Sequence, residues 1–263
     1  MAANHAKLDY HPDQYLNLGY NRPGFFEFRD FALENIHKFF KSRQFPQGQP
    51  LKVLDYGCGP VLAYDISAAG IPGVEIVLAE IVDDCREAIQ NWLDRAPSAW
   101  NWTPYFKHVV QTLEGNDEKE AYLRKESLRQ AVKAVVSCDI RQDPPIAKGF
   151  EGPYDVVMSI VCIENACKTR DEYKAAVGRL ASLVKPGGHL LLYLNVRDDE
   201  GMGRYYIGDT KFTPMFLQLD VILKIMEDTG FTDITNNVFK EEDESRPNRR
   251  NVECTAFIIG MKI

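Results

Sequence analysis

Two spacings of apolar residues alternate along the 263-residue chain. Short apolar runs predict buried strands, and stretches with apolar residues every three or four positions predict helices that pack on a sheet. The strands are predicted at 51–56, 74–79, 134–138, 154–160, 189–196, 232–239 and 254–263. The helices are predicted at 25–40, from 60 to about 69, and at 83–95 (with Asp83 as candidate cap), 118–133, 170–183 and 216–229.

This alternation predicts an α/β fold, a Rossmann-like, doubly wound, mostly parallel seven-stranded sheet. Only a polar turn at 241–250 separates the last two strands, so we expect an antiparallel C-terminal hairpin. Residues 1–50 are polar and aromatic, and are expected to form an N-terminal helical cap. Residues 96–132 interrupt the alternation of predicted strands and helices. We expect them to form an insertion whose aromatic side chains pack on the core. We find no repeat or linker, which favours a single domain over residues 1–263.

Composition excludes several classes of function. Lys and Arg total 31 against 38 Asp and Glu, a formal charge of −7, which disfavours a nucleic-acid binder that neutralises many phosphates. The longest nearly apolar run, 156–163, is less than half of the ~20 residues that a membrane span needs. The first residues lack the apolar segment of a secretory signal, so we expect a cytoplasmic protein without a membrane partner.

The cysteines and histidines predict neither disulfides nor a metal site. Six cysteines are scattered without a Cys-x-x-Cys pair, and most lie in or beside predicted buried strands. Reduced, buried thiols are the favoured interpretation, although an even count would permit three disulfides. The five histidines show no metal-ligand spacing with one another or with the cysteines.

Candidate chemistry lies at the carboxyl ends of the strands, where doubly wound sheets bind ligands. The first strand ends in Asp55-Tyr-Gly-Cys-Gly-Pro60, in which two glycines let the backbone turn tightly. The second ends at Glu80, where an acid can accept hydrogen bonds from both ribose hydroxyls. The third ends at Asp139-Ile140, suited to an adenine amino group beside an apolar wall, and the fourth ends near Ile160. Each has a plain alternative, such as a solvated strand end or a helix cap, but together they indicate an adenosine-bearing cofactor.

The absence of two glycine-containing motifs reduces the number of possible cofactors. A dinucleotide site needs a third glycine where the helix begins, but Pro60 follows Gly59 and the next glycine is Gly70. No Gly-Lys-Ser/Thr phosphate loop occurs either. A cofactor with ribose and adenine but no phosphate fits better, and S-adenosylmethionine is that molecule.

Together with Leu183-Val-Lys-Pro-Gly-Gly188, these motifs resemble those of class I S-adenosylmethionine-dependent methyltransferases. Four further stretches narrow the resemblance to the nicotinamide, phenylethanolamine and indolethylamine (thioether) N-methyltransferases. They are residues 14–23, 91–104, 128–135 and 205–212. The resemblance runs from about residue 10 to the C-terminus.

The resemblance implies roles for individual residues. Two cap tyrosines close over the cofactor, the glycine turn passes beneath its methionine part, and the acids at the second and third strand ends hold ribose and adenine. The residues expected to bind the cofactor are Tyr15, Tyr20, Gly57, Cys58, Gly59, Pro60, Tyr64, Glu80, Ile81, Cys85, Asp139, Ile140 and Ile160. The residues expected to line the acceptor site are Tyr20, Asn195, Asp198 and Tyr205.

The chain also departs from the family pattern. A tyrosine common in the family aligns with Ala63, with Tyr64 one place on, and a family asparagine aligns with Cys85. An aspartate that holds the acceptor in the nicotinamide enzyme aligns with Leu194, followed by Asn195 and a longer acidic loop at 197–200.

The resemblance implies an S-adenosylmethionine-dependent transfer of a methyl group to the nitrogen of a small amine or pyridine, such as nicotinamide. Positioning by Tyr20 and Tyr205 is expected to suffice, without a strong general base, if the acceptor arrives unprotonated, because the sulfonium methyl is already activated. Two alternatives stay open: a different acceptor such as a thioether, or a non-catalytic protein that binds the cofactor. A monomer is expected.

Overall fold

The computed structural model describes residues 11–24, 27–45, 48–207, 209–240 and 254–263, and within these ranges seven strands form the central sheet. The strands are β1 (Lys52–Tyr56), β2 (Glu75–Ala79), β3 (Val132–Val136), β4 (Tyr154–Ile160), β5 (Val184–Val196), β6 (Gly201–Met202), β7 (Tyr205–Ile207), β8 (Thr210–Phe212), β9 (Met215–Phe216), β10 (Phe231–Phe239) and β11 (Cys254–Lys262). The α-helices are α1 (Pro12–Gly19), α2 (Glu27–Ser42), α3 (Asp83–Leu93), α4 (Thr103–Lys107), α5 (Glu118–Ala131), α6 (Ile163–Ala166), α7 (Arg170–Leu183) and α8 (Leu219–Asp228).

The strand order across the central sheet is β10-β11-β5-β4-β1-β2-β3. Strands β5, β4, β1, β2 and β3 are parallel to one another, whereas β11 runs antiparallel to both β10 and β5. Successive strand residues point to opposite faces, so Val53 joins one apolar cluster and Leu54 the other. The predicted fold class and its antiparallel C-terminal pair are confirmed. The turn predicted at 241–250 lies outside the described residues.

Helix α2 packs an apolar side against one face of the sheet. Leu33, Ile36 and Phe40 recur at three and four residues and are all buried. Two hydrogen bonds tie α2 to the sheet: the Tyr193 hydroxyl donates to the backbone carbonyl of Phe28 (2.5 Å), and an Asn237 amide donates to the Asn35 side chain (2.7 Å). Among the described residues, no helix combines the length and the apolar character that a membrane crossing needs.

The helix predicted from residue 60 to about 69 is wrong. The chain forms two 3-10 turns there, Ala63–Asp65 and Ala68–Gly70. Every residue from 61 to 69 is buried, including Leu62 and Ile66, so no solvent-facing side of a regular helix exists. The backbone instead forms 3-10 turns, which are tighter than an α-helix, and the side chains of this segment point into the core in several directions.

Other boundaries also differ from the predictions; for example, β5 begins at Val184 rather than at residue 189, and β3 spans Val132–Val136 rather than 134–138. Helix α1 was not predicted, because its short apolar pattern is weak, although a proline stands in its first turn. Val82, not Asp83, is the N-cap of α3, and Asp83 pairs with Arg86 within the helix. Helix α8 begins at Leu219 because the residues before it form β9, which pairs with β6.

The insertion at 96–132 packs its aromatic side chains on the core, as predicted. It comprises α4, a π-helical turn at His108–Leu113, and α5. Trp102, Tyr105 and Phe106 are all buried, and Phe106 stacks on Trp92 of α3 at 5.9 Å between ring centroids.

A pair of buried carboxyl groups lies beneath the loop that follows β1. Asp55 at the end of β1 and Asp65 in the first 3-10 turn interact with each other, and no other described group donates to either carboxyl. Burial and the nearby Glu80 raise the pKa of Asp55 to about 7, and burial with Asp55 raises that of Asp65. Two carboxyls in one apolar site favour the protonated form, because two adjacent negative charges cannot be solvated there.

We predict that this pair makes the fold less stable as the pH rises. Below about pH 4 both folded and unfolded chains hold the proton on Asp55. Between about pH 4 and 7 the unfolded chain loses the proton first, so the free energy of unfolding falls by up to about 4 kcal/mol, and it is then constant above pH 7. Asp65→Asn removes one acid, and we expect it to flatten this decline in urea titrations between pH 5 and 8.

Asp209→Asn serves as the matched control, because Asp209 is exposed. We expect the control to keep the decline of the unmodified chain. An Asp65→Asn profile as steep as that of the unmodified chain would show that Asp65 does not contribute to the decline.

Candidate active site

The predicted site residues come together at one edge of the sheet. Strands β4, β1, β2 and β3 are neighbours in that order and run parallel, so their carboxyl ends lie side by side. Ile160 is the last residue of β4, and the loops after β1, β2 and β3 carry the turn at 57–60, Glu80 and Asp139 respectively. This edge is where doubly wound sheets bind ligands.

The turn after β1 depends on its two glycines. Gly57 and Gly59 have φ of 73° and 58°, a conformation that side chains disfavour. A Cβ on Gly57 would overlap the Sγ of Cys162, whereas a Cβ on Gly59 would meet no atom within 4 Å. Gly57 therefore permits close packing between β1 and β4, and Gly59 faces open space where a ligand could lie. Cys58 and Pro60, between and after them, are buried.

Glu80 joins the ends of β1 and β2. One carboxylate oxygen accepts from the N–H of Gly59 and the other from the N–H of Val82, both at 2.9 Å. Burial raises the pKa of Glu80, and these N–H groups limit the rise. The N–H of Ile81 also interacts with this carboxylate, and the lone pairs that remain could accept a ligand hydroxyl. Ile81, the next residue, is exposed.

Asp139, beyond the end of β3, is held by Arg141. Arg141 donates from its backbone N–H (3.1 Å) and from Nε (2.8 Å) to one carboxylate oxygen, and from Nη2 (2.9 Å) to the other. Burial alone would raise the pKa of Asp139, but these hydrogen bonds outweigh it and hold the pKa below its usual value. Ile140 and Cys85 are buried behind this edge, Ile140 in the core of one sheet face.

Three tyrosines of the cap and the glycine loop meet beside the turn. The Tyr20 hydroxyl lies 3.2 Å from that of Tyr64, and the Tyr20 ring lies 5.5 Å from that of Tyr15. Tyr64 therefore reaches the cap although it stands one position later than the family tyrosine. Burial, and then the neighbouring phenol, raises the pKa of both Tyr15 and Tyr20, so both hydroxyls stay protonated.

The end of β4 forms the other side of the site. Ile160 is half-buried, and Val161 after it has φ of 50°, which is rare and costly for a β-branched residue. The Val161 N–H donates to the Tyr193 carbonyl (2.6 Å), and its carbonyl accepts from the Asn165 side chain (3.1 Å). Asn165 also accepts a hydrogen bond from the Tyr205 hydroxyl at 3.0 Å.

Glu164 is the residue of this side that the sequence analysis missed. Its carboxyl is buried, one oxygen accepts from the backbone (3.3 Å) and the side chain (3.2 Å) of Asn195, and the other has no donor among the described residues. Burial raises its pKa to about 7, although the hydrogen bonds from Asn195 oppose the rise. The sequence feature that could have identified Glu164 is an acidic residue only four positions after the apolar strand β4.

The acidic loop after β5 is directed elsewhere. Asp199 pairs with Arg197, and Glu200 accepts from Arg170. Asp198 is exposed, and its backbone carbonyl accepts from the Gln218 side chain (2.5 Å). A contact between Asp198 and an acceptor stays a prediction. In the described part of the chain, no three His, Cys, Asp or Glu side chains are placed to hold a metal ion.

Comparison with solved structures agrees with this fold. Magnesium protoporphyrin IX methyltransferase from Synechocystis, solved with bound S-adenosylmethionine, matches with a TM-score of 0.56 and 14% identity, covering 95% of this chain and 90% of the other. The glycopeptide N-methyltransferase MtfA, also solved with that molecule, matches with a TM-score of 0.51 and 14% identity, covering 93% and 96%.

Comparison of sequences is more specific. The rabbit (Oryctolagus cuniculus) indolethylamine N-methyltransferase is 33% identical over 90% of this chain and 85% of its own length. The pig (Sus scrofa) nicotinamide N-methyltransferase is 30% identical over 85% and 82%. The family model described as the NNMT/PNMT/TEMT family matches residues 1–258. The chain therefore belongs to the NNMT/PNMT/TEMT family.

Proposed function

We propose that the protein is an S-adenosylmethionine-dependent N-methyltransferase that methylates the nitrogen of a small amine or pyridine. Family membership across residues 1–258 supplies the reaction class, because the relatives are indolethylamine, nicotinamide and phenylethanolamine N-methyltransferases. The observation in the structure that carries the proposal is Glu80, a buried carboxylate with free lone pairs beside the open space at Gly59.

The strand ends suit an adenosine cofactor without phosphate. Glu80 would accept the two ribose hydroxyls, and Asp139 would meet the adenine amino group on the oxygen that accepts only once from Arg141. The turn from Gly57 to Pro60, with Cys58, would pass beneath the methionine part. Ile160 would face the sulfonium. Ile81, Cys85 and Ile140 are proposed as the surrounding wall.

Tyr15, Tyr20 and Tyr64 are proposed to close over the cofactor from the cap. Their rings and hydroxyls are in mutual contact beside the turn, and Tyr20 also packs against Trp102 (5.8 Å) and Tyr105 (6.0 Å) of the insertion. Water excluded by this aromatic layer cannot solvate the attacking nitrogen, which makes the nitrogen a better nucleophile.

The chemistry requires little of the protein beyond positioning. When bound, the cofactor supplies a sulfonium methyl that is already activated for in-line displacement. The protein must hold the acceptor nitrogen about 3 Å from that carbon, opposite the sulfur. Tyr205, fixed by Asn165, and Asn195, fixed by Glu164, are proposed to line the acceptor site.

Glu164 is proposed to accept a proton from an amine acceptor. Amines enter largely as ammonium ions near neutral pH, and only the neutral form has a lone pair for attack. The carboxylate with a pKa of about 7 can take that proton on the oxygen that has no described donor. A pyridine such as nicotinamide is already neutral at its ring nitrogen and would need no such transfer.

We further propose a single-domain, monomeric, cytoplasmic enzyme that needs no nucleic acid or membrane partner. The net charge of −7 argues against a nucleic-acid partner, and six scattered cysteines without a Cys-x-x-Cys pair suit a reducing compartment.

An acceptor screen tests the proposed function. Radiolabelled S-adenosylmethionine is supplied with nicotinamide, tryptamine, phenylethanolamine or dimethyl sulfide, and binding of S-adenosylhomocysteine is measured by calorimetry in parallel. We expect label on at least one of the three nitrogen acceptors. Transfer to dimethyl sulfide alone, or cofactor binding with no transfer at all, would contradict N-methylation, and no binding would contradict the cofactor.

Replacement of Glu164 by Gln tests its role as proton acceptor. The amide keeps the shape and the oxygen that Asn195 contacts, but it cannot take a proton, so we expect turnover of an amine acceptor to fall about 100-fold. Turnover of the unmodified chain should rise with pH through about 7, as the carboxyl ionises, and the variant should lose this rise.

Affinity for S-adenosylhomocysteine should stay within about twofold in this variant, and nicotinamide turnover should fall much less. Glu87→Gln, the same change at an exposed position of α3, is the control and should leave every value unchanged. Equal losses with amine and pyridine acceptors, or an unchanged pH profile, would refute proton transfer to Glu164.

A further inference from the structure

Arg29, in the first turn of α2, places a positive charge inside the group of tyrosines that closes the site. Its guanidinium carbon lies 4.0 Å from the centroid of the Tyr20 ring and 5.4 Å from that of Tyr15. The sequence analysis gave this residue no role, because nothing in the spacing of α2 separates it from an exposed helix residue.

A glycine of α1 makes room for this guanidinium. A Cβ on Gly19 would overlap the guanidinium nitrogens of Arg29. Gly19 is itself buried, one residue before Tyr20. The packing of α1 on α2 is therefore compatible with Arg29 in this position only if residue 19 has no side chain.

The guanidinium of Arg29 lies where it could bind an anion. Arginine stays protonated in folded proteins, and its planar guanidinium matches a carboxylate with two parallel hydrogen bonds. Electrostatic interaction links Arg29 to the phenols of Tyr20, Tyr15, Tyr64 and Tyr105, and it raises the Arg29 pKa even though burial opposes this. Protonated phenol hydroxyls are additional donors to an anion at the same place.

The position of Arg29 matches one end of the proposed cofactor. Adenine and ribose are assigned to the acids after β3 and β2, so the amino-acid end lies on the opposite side, over the turn after β1. Tyr64 belongs to the segment that follows this turn, and its hydroxyl lies 3.2 Å from that of Tyr20. The guanidinium of Arg29 packs on the Tyr20 ring. The cap thus provides a cation next to Tyr64, in the segment after the turn, where the proposed cofactor would carry its amino-acid end.

We propose that Arg29 binds the α-carboxylate of the cofactor and selects ligands that carry an intact amino-acid end. This inference rests on the proposed function. It assigns Arg29 as a specificity-determining residue, with Gly19 as the residue that positions it.

The test compares two ligands that differ only in the carboxylate. S-adenosylhomocysteine carries it, and S-adenosyl-3-thiopropylamine is the same molecule without it. Calorimetry on the full chain should show that the unmodified protein prefers the first ligand about tenfold or more, a typical effect of a charged hydrogen-bonded pair. Arg29→Gln should remove most of this preference by weakening only S-adenosylhomocysteine, with the second affinity unchanged within about twofold.

Gly19→Ala provides a second variant that displaces the guanidinium without removing its charge, and it should reduce the same preference. Arg22→Gln, an equal charge change at an exposed cap position, should keep the preference of the unmodified protein. An Arg29→Gln protein that retains the preference, or that loses affinity for both ligands equally, would overturn the assignment. Failure of the unmodified protein to bind either ligand would instead overturn the proposed function.

Discussion

The carboxylate of Glu80 accepts one hydrogen bond from the N–H of Gly59 and one from that of Val82, and so connects the loops after β1 and β2. These N–H groups hold a buried negative charge that would otherwise be costly. The turn at 57–60 is thereby fixed in a left-handed conformation that leaves open space at Gly59. The loops after β1 and β2 lie between Ile160 and Asp139. Because the Glu80 hydrogen bonds fix these two loops, Ile160 and Asp139 can contact the same ligand.

Electrostatics divides the site into two ends. Glu80 and Asp139 supply acceptors at the ends of β2 and β3, whereas the cap supplies Arg29 and tyrosine hydroxyls next to Tyr64, in the segment that follows β1. A ligand with hydroxyls and an amino group at one end and a carboxylate at the other suits this arrangement. Glu164, on the side of β4, adds a carboxyl whose pKa of about 7 suits proton exchange with an amine.

Local patterns predicted the framework well. The strand at 154–160 and the helix at 170–183 are apolar runs with clear ends, and the structure gives them the same bounds, β4 and α7. The acids and glycines at strand ends were predictable because parallel strands bring their carboxyl ends together. The segment after Pro60 was mispredicted as a helix, because its apolar residues face several directions of the core and show no helical stripe against solvent.

The contacts of Arg29 and Glu164 could not be predicted in the same way. Arg29 reaches Tyr20 only because α1 folds back on α2 and Gly19 leaves room. Glu164 becomes a buried acid only because β5 brings Asn195 beside it. Both environments depend on residues distant in sequence, and a single sequence does not encode such pairs as a local pattern.

A crystal structure of the complex with S-adenosylhomocysteine is the most direct test of the account. We predict that both ribose hydroxyls lie within hydrogen-bonding distance of the Glu80 carboxylate, which keeps its bonds to Gly59 and Val82. The adenine should lie beside Asp139, and the sulfur should face Ile160. A ligand bound away from this edge, or a ribose that does not contact Glu80, would contradict it.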